Sequence, residues 1–549
     1  MTVLSVRDLR VSIDEVPILN AVSLEVAPGE VLGLVGESGS GKSMTALAIM
    51  GLLPSRAVVN GDVDVLETPV PYADDRAMRL VRGDQIGMVF QEPMTALNPL
   101  MTIGDQVAET VRIHRKVSPL EAQVIARRTL ERVGLANDRF PLDRYPHELS
   151  GGQRQRVAIA IAIALTPRLL IADEPTTALD VTTQAQILSL LKRLVREDGM
   201  GLILISHDLA VVAGTADRVA VMHKGTTVEQ ARASRIVTGM THAESQRLLG
   251  AAMHVPVRRA APAEGEPVLE VEGLVRDYPG AMRLFRRAAP FRAVDNVSFV
   301  VRRGESVGLV GESGCGKSTL LRTVLGLHRP RAGTVRVMGE DFTRATGADL
   351  KRLRRHVQMV FQDPSGSFDP RWRVEQLVSE NFHLLEQRPD RAEGRRRVEE
   401  MLDQVGLTSR DADRYPHEFS GGERQRIAIA RALITRPAII ALDEAVSALD
   451  VSIRAQVLDL LAELSQRLGL SWLFASHDLT LVGSITDRLM VMQAGRIVET
   501  GATEAVFAAP AHACTRALLA ATPVLSRDRL TPALSTDTVP LSVETTDEP

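Results

Sequence analysis

Cysteine is nearly absent. Two residues, Cys315 and Cys514, stand in a chain of 549, too few for a disulfide framework or a four-cysteine metal site and suited to a reducing compartment. Aromatic residues make up only 3 %. No window approaches the roughly 20 consecutive apolar residues of a membrane span. The opening decapeptide, MTVLSVRDLR, places Arg7, Asp8 and Arg10 where a secretory signal needs its apolar stretch. An excess of one charge is also lacking: 65 basic against 68 acidic side chains leave −3, which calls for neither nucleic acid nor an anionic membrane surface. Lysine contributes only six of the basic residues, an arginine bias that reads as genomic composition. These absences place the chain in the cytoplasm or on the cytoplasmic face of a membrane. What is present is 45 % hydrophobic and 24 % charged residues, enough for large cores shared among several domains or two large ones.

The chain repeats itself. GESGSGKS at 36–43 returns as GESGCGKS at 311–318, RYPHELSGGQRQR at 144–156 as RYPHEFSGGERQR at 414–426, and SHDL at 206–209 as SHDL at 476–479. A period of this size is a domain, not a solenoid unit. The expected division is a first domain over 1–241, a linker over 242–267 rich in alanine, proline and charge, a second domain over 268–520, and a Thr/Ser/Pro-rich, disordered tail over 521–549. The second copy also carries an insertion of about ten residues before its phosphate loop, placed at 279–290. Within each copy, short β-rich runs (30–35, 169–173 and 201–206; 305–310, 439–443 and 470–476) alternate with helical patterns such as 182–195. The order is α/β, with ligand loops expected at the carboxyl ends of parallel strands.

Each G-x-x-x-x-G-K-S run follows an apolar strand and opens an apolar helix, the context its chemistry requires. Gly36, Gly39 and Gly41 let the backbone wrap phosphate oxygens, Lys42 reaches the β- and γ-phosphates, and the Ser43 hydroxyl is a Mg²⁺ ligand. Gly311, Gly314, Gly316, Lys317 and Ser318 repeat the set. Cys315 lies inside the second loop, but its counterpart is Ser40, so a nucleophile is not expected there. LLIADE and IIALDE end apolar strands in Asp-Glu pairs. Asp173 and Asp443 are assigned to metal, and Glu174 and Glu444 to the base that polarises water. His207 and His477, after a further strand, are read as γ-phosphate sensors. Gln91 and Gln362, in VFQEP and VFQDP, are read as coupling metal or water geometry to the segments that follow.

Both copies resemble ATP-binding-cassette nucleotide-binding domains. The phosphate loop, glutamine loop, SGGQ-like signature, Asp-Glu strand end, ALD segment and switch histidine appear in family order. The resemblance implies two tandem P-loop NTPase domains, each with a RecA-like core and a helical signature subdomain. It also implies two composite ATP sites. Ser150, Gly151, Gly152 and Gln153 would cap ATP held by Lys317, and Ser420, Gly421, Gly422 and Glu423 would cap ATP held by Lys42. Asp180 and Asp450, closing the ALD segments, resemble the family's interface aspartates. Three departures stand out. The base-stacking aromatic is Ile13 in the first copy, whereas Tyr278 is available in the second. Glu423 adds a negative charge where glutamine is expected. PTTALD becomes AVSALD in the second copy, losing a proline. Hydrolysis is expected at both sites.

The segments FQEPMTALNPLMTIGDQVAE and FQDPSGSFDPRWRVEQLVSE, together with RYPHE and TRALLAATP, resemble the fused ATPase pairs of bacterial dipeptide, oligopeptide, nickel and glutathione importers. That resemblance implies ATP and Mg²⁺, two transmembrane permease subunits, an extracytoplasmic substrate-binding protein, and attachment to the cytoplasmic face of the inner membrane. Short peptides rank first as the solute, with nickel or glutathione as alternatives. Relatives often carry a cysteine-rich C-terminal motif for an iron-sulfur cluster; with only Cys514 nearby, no cluster is expected. A soluble tandem ATPase acting on ribosomes or DNA is the alternative of another class. The short connector and the lack of a basic patch or zinc-finger cysteine set weigh against it, so no nucleic-acid partner is expected.

Overall fold

The computed structural model describes residues 2–525 apart from 73, 93–95, 178, 259–264, 280–281, 284–285, 288 and 448; the tail beyond 525 lies outside the described residues. In the first copy the apolar runs VLGLV, LLIAD and GLILIS are buried at every position, as strands covered on both faces must be. They form the centre of a six-stranded sheet in the order Thr226–Arg232, Arg218–His223, Val31–Val35, Gly201–Ser206, Leu169–Asp173, Ile86–Val89. All neighbouring pairs are parallel except the first. A second, antiparallel sheet of four strands, with Leu4–Ile13 between Val16–Val26 and Ala57–Val65, packs on the same core. The second copy repeats both sheets, with Ser306–Val310, Ile439–Asp443 and Ser471–Ser476 in the central places. The expected α/β class is what these sheets are.

One glycine in each core strand has a packing reason. A Cβ on Gly33 would stand 2.0 Å from Val212 Cγ1 and one on Gly308 2.3 Å from Val482 Cγ1. The helices Leu209–Thr215 and Leu479–Ile485 lie that close to their strands. Each copy also has a helical subdomain. In the first it comprises Ile103–His114, Pro119–Arg132 and Gly151–Ile163, joined in one apolar cluster. Ser118 and Glu121 start the middle helix as a reciprocal cap, satisfying two amides that the helix cannot.

The span read as a linker contains structure that its weak apolar period did not announce. Ala243–Ala252 is a helix burying Ser245 and Leu248, started by His242, whose Nδ1 accepts from Glu244 N at 3.2 Å. Its equivalent near the other end of the chain, Ala513–Ala521, is started in the same way by His512. Each helix packs on its own copy, Leu248 with Leu209, Val212 and Ile236 and Leu518 with Val491 and Val506, and each also bridges to the other copy. Ala243–Ala252 packs on Val451–Leu468 of the second copy, and Ala513–Ala521 packs on Val181–Asp198 of the first. Beyond the first of them the chain runs along the second copy, with His254 Nε2 2.7 Å from Asp459 Oδ1 and Arg258 paired with Asp487. The insertion at 279–290 includes the two short strands Met282–Arg283 and Arg286–Arg287. Among the described residues no helix is long and apolar enough to cross a membrane.

Candidate functional site: two phosphate loops facing one cavity

Both phosphate loops end on a glycine with positive φ, Gly41 at +101° and Gly316 at +112°, directly before the helices Lys42–Ile49 and Lys317–Val324. That conformation strains any residue with a Cβ, and at Gly41 the added carbon would also meet Leu19 Cδ2 at 2.7 Å. The turn aims free helix N-terminal amides into the loop. The lysines are held ready inside it. Lys42 Nζ donates to the carbonyls of Gly36 and Glu37 at 2.9 and 2.8 Å, and Lys317 Nζ to those of Gly311 and Glu312 at 2.7 and 3.0 Å. Burial pushes the Lys42 ammonium below its ordinary range, an effect opposed by Glu174, Asp450 and Asp173. Cys315 is buried beside Lys317, and burial raises its thiol.

The carboxylates meet the loops from the neighbouring strand ends. Ser43 Oγ donates to Asp173 Oδ1 at 3.2 Å and Ser318 Oγ to Asp443 Oδ1 at 3.0 Å. These pairs of hard oxygen donors fit a Mg²⁺ ion. Burial raises both aspartates. The next residue in each copy bonds the two remaining members of the set. Glu174 accepts from Gln91 Nε2 at 3.0 Å and lies 3.2 Å from His207 Nδ1; Glu444 accepts from Gln362 Nε2 at 2.8 Å and lies 3.0 Å from His477 Nδ1. Burial of Glu174 is outweighed by its histidine, Thr177 and Lys42, so the carboxyl falls to about 2, while His207 is raised by the same bond. Glu444 is also lowered. Thr177 donates to the Glu174 carboxylate, whereas Ser447 donates to the Glu444 main-chain carbonyl, so the two sites are not copies in detail.

The expected sets Lys42, Ser43 and Asp173, and Lys317, Ser318 and Asp443, with their glutamates, glutamines and histidines, come together at the ends of their strands. The lysines, glutamates, glutamines and histidines of both copies border one cavity of about 1210 Å³ between the two copies. Asp180 and Asp450 border it too, as does Tyr278, whose ring carries the Arg276 guanidinium 5.0 Å from its centroid. Ile13 does not. The signature residues Ser150–Gln153 and Ser420–Glu423 also stand outside its lining. Each set closes its own helix start: Ser150 N donates to Gln153 Oε1 at 2.9 Å and Ser420 N to Glu423 Oε2 at 2.8 Å. The Glu423 carboxylate therefore turns back onto Ser420, whose hydroxyl it also accepts at 2.8 Å; the charge is absorbed in a helix cap. What crosses between copies is an interface aspartate, because Ser38 N in the first phosphate loop donates to Asp450 Oδ1 at 3.1 Å.

The sequence comparisons decide the family. The ABC transporter profile matches residues 19–177 and 294–447, more than half of the chain. The chain belongs to the ABC transporter family. As an ABC transporter ATPase it binds and hydrolyses ATP, and its two P-loop cassettes are the two halves just described. It is 44 % identical to the glutathione import ATP-binding protein GsiA of Salmonella typhimurium, over 98 % of this chain and 93 % of that one. It is 43 % identical to the GsiA of Escherichia coli K12, with the same coverage. Among solved structures, cbiO1 of Clostridium perfringens, part of the ABC transporter complex cbiONQ, matches at 29 % identity and a TM-score of 0.39, over 44 % of this chain and 91 % of that one.

Two features of the ABC site were not anticipated. Glu174 and Glu444 have left-handed backbones, φ +46° and +48°, a conformation uncommon for residues with a side chain. Their amides donate to Ile205 and Ala475 carbonyls at 3.0 and 2.9 Å. A run of apolar residues ending in Asp-Glu carries no signal for that turn. The other feature is that residues 251–255, in the span read as a linker, border the cavity.

Proposed function

We propose that this ABC ATPase energises the import of glutathione through separate permease subunits. The observation that carries this reading is the near full-length identity of 43–44 % to proteins named for glutathione import in Salmonella, Pectobacterium and Escherichia. Short peptides in general rank first on sequence alone; the relatives' names favour the alternative, glutathione, which is itself a tripeptide. In this reading two permeases supply the channel, an extracytoplasmic binding protein delivers the solute, and the ATPase works at the cytoplasmic face of the inner membrane.

The residues divide the work as follows. Phosphate oxygens take over the bonds that Lys42 and Lys317 now make to loop carbonyls, and the loop amides donate to the same polyphosphate. Ser43 with Asp173, and Ser318 with Asp443, joined by Gln91 and Gln362, would hold Mg²⁺, which spreads the charge of the phosphates. Glu174 and Glu444, kept ionised, accept the proton of the attacking water. His207 and His477, leaning on those carboxylates, are placed to exchange that contact for the γ-phosphate. Closing the cavity brings Ser420–Gly422 over the first site and Ser150–Gly152 over the second; Tyr278 gives the second site a ring for adenine.

The test is reconstitution of the chain with its cognate permeases and binding protein. ATP-dependent accumulation of labelled glutathione is measured beside di- and oligopeptides and nickel. Preferential accumulation of glutathione is expected. Robust movement of another solute, with glutathione neither accumulated nor stimulating hydrolysis, overturns the substrate and leaves the ATPase intact.

A further inference from the structure

Arg247 lies on the Ala243–Ala252 helix, outside every motif of the nucleotide site, yet it bonds to both copies. Its Nη2 is 2.6 Å from Glu37 Oε2 and 2.6 Å from Glu244 Oε1, and its Nη1 donates to Ser452 Oγ at 3.3 Å. Glu37 is the second residue of the first phosphate loop. Its carbonyl holds the Lys42 ammonium. Burial of its carboxyl is outweighed by Arg247 and by Ser452, so it stays ionised. Ser452 belongs to the second copy, two residues past Asp450, and is 7 % exposed. Residues 37–38 of one cassette are thus fastened to 450–452 of the other by two routes, the Ser38–Asp450 bond and the Arg247 bridge.

The second phosphate loop has the same glutamate but no such bridge. The residue equivalent to Arg247 is Ala517, and the one equivalent to Glu244 is Cys514. The equivalent of Ser452, Thr182, has a buried hydroxyl without a hydrogen-bond partner. Asp180 does not reach across either; it caps its own helix through Thr183 N at 2.9 Å and Thr183 Oγ1 at 3.1 Å. Two loops of nearly identical sequence are therefore held differently, because the helices that bridge the copies differ where they face those loops.

We propose that Arg247 is a positioning residue that pins the first phosphate loop to the second cassette. It makes the first site the hinge of the ATPase cycle and leaves the second site as the one that opens. A planar, permanently charged guanidinium suits this place, since it satisfies two carboxylates and a hydroxyl at once. The inference is independent of which solute is carried.

The test uses the full chain without nucleotide. Spin labels are placed at exposed Arg10 and Ala392, across the first site, and at exposed Glu272 and Arg127, across the second. Arg247→Ala should lengthen and broaden the first distance and leave the second unchanged. Glu37→Gln should do the same, and the double variant should do no more than either single one, because both remove one bridge. The ATP concentration for half-maximal hydrolysis should rise several-fold in both, with kcat of Arg247→Ala within about twofold. Equal movement of both label pairs, no movement of either, or additive effects would overturn the proposal. Thermal melts of both single variants identify simple misfolding; if Arg247→Ala fails to fold, the distances measured in Glu37→Gln decide the matter.

Discussion

Glu174 and Glu444 combine an unfavourable backbone with a carboxyl held ionised against burial. Glutamine retains the shape and the bond to histidine but accepts a proton poorly. Glu174→Gln and Glu444→Gln should each lower transport-coupled hydrolysis, and the double variant should fall by about 100-fold or more while still binding ATP. Steady-state phosphate release and nucleotide binding on the same preparation check this; full hydrolysis by the double variant would remove the assignment. The inequality of Thr177 and Ser447 adds a second expectation at this scale. Thr177→Val removes a donor to the carboxylate, whereas Ser447→Ala removes one to a main-chain oxygen. The first should therefore slow hydrolysis more than the second.

At the scale of elements, the close approach of the Leu209–Thr215 helix to its strand makes Gly33 intolerant. Gly33→Ala drives a methyl group into Val212 and should cost about 1–3 kcal/mol. Gly214→Ala, in the same helix with no atom within 4 Å of its added Cβ, should be neutral or stabilise by about 0.5–1 kcal/mol; chemical denaturation distinguishes them. The Ala513–Ala521 helix is tied down by Glu499, which accepts from Ala511 N at 2.8 Å, His512 N at 2.9 Å and the Thr515 hydroxyl. Burial of that carboxyl is outweighed by these bonds, so it lies below its ordinary value of 4.5. A lowered carboxylate stabilises the fold above its unfolded pKa and loses that contribution as pH falls through its folded value. Hydrogen exchange should show this helix loosening on acidification below pH 4.5, and Glu499→Gln should loosen it already at neutral pH.

Much of this architecture was legible. The strands VLGLV and LLIAD, the glycines of the loops, and the meeting of Lys42, Asp173, Glu174, Gln91 and His207 follow from residue types whose chemistry is local. The helix Ala243–Ala252 was not legible, because it buries only Ser245 and Leu248, too few to show a period, and lies between the Leu209–Thr215 helix of its own copy and Val451–Leu468 of the other. The fate of Glu423 was equally hidden. Its charge suggests repulsion of phosphate, whereas a serine three residues earlier offers the nearer partner.

For the molecule as a whole, the cavity between cassettes exposes both phosphate loops while the signature serines remain outside its lining. Binding of ATP should therefore draw the halves together, and the glutamine double variant should hold them there. Spin labels at Arg127 and Glu272 should approach on addition of ATP and separate after hydrolysis in the parent protein only. An unchanged distance would reject the two composite sites.

The bridging terminal helices also bear on stoichiometry. If the gene were cut between its halves, two copies of the first product would lose a charged contact: Thr182 offers Arg247 a hydroxyl like that of Ser452, but His254 would face Ser189 in place of Asp459. Only one of each product completes the contacts. Fusion thus fixes a one-to-one ratio that the helix surfaces already prefer, so separately synthesised halves should recover each other from a mixture rather than self-associate.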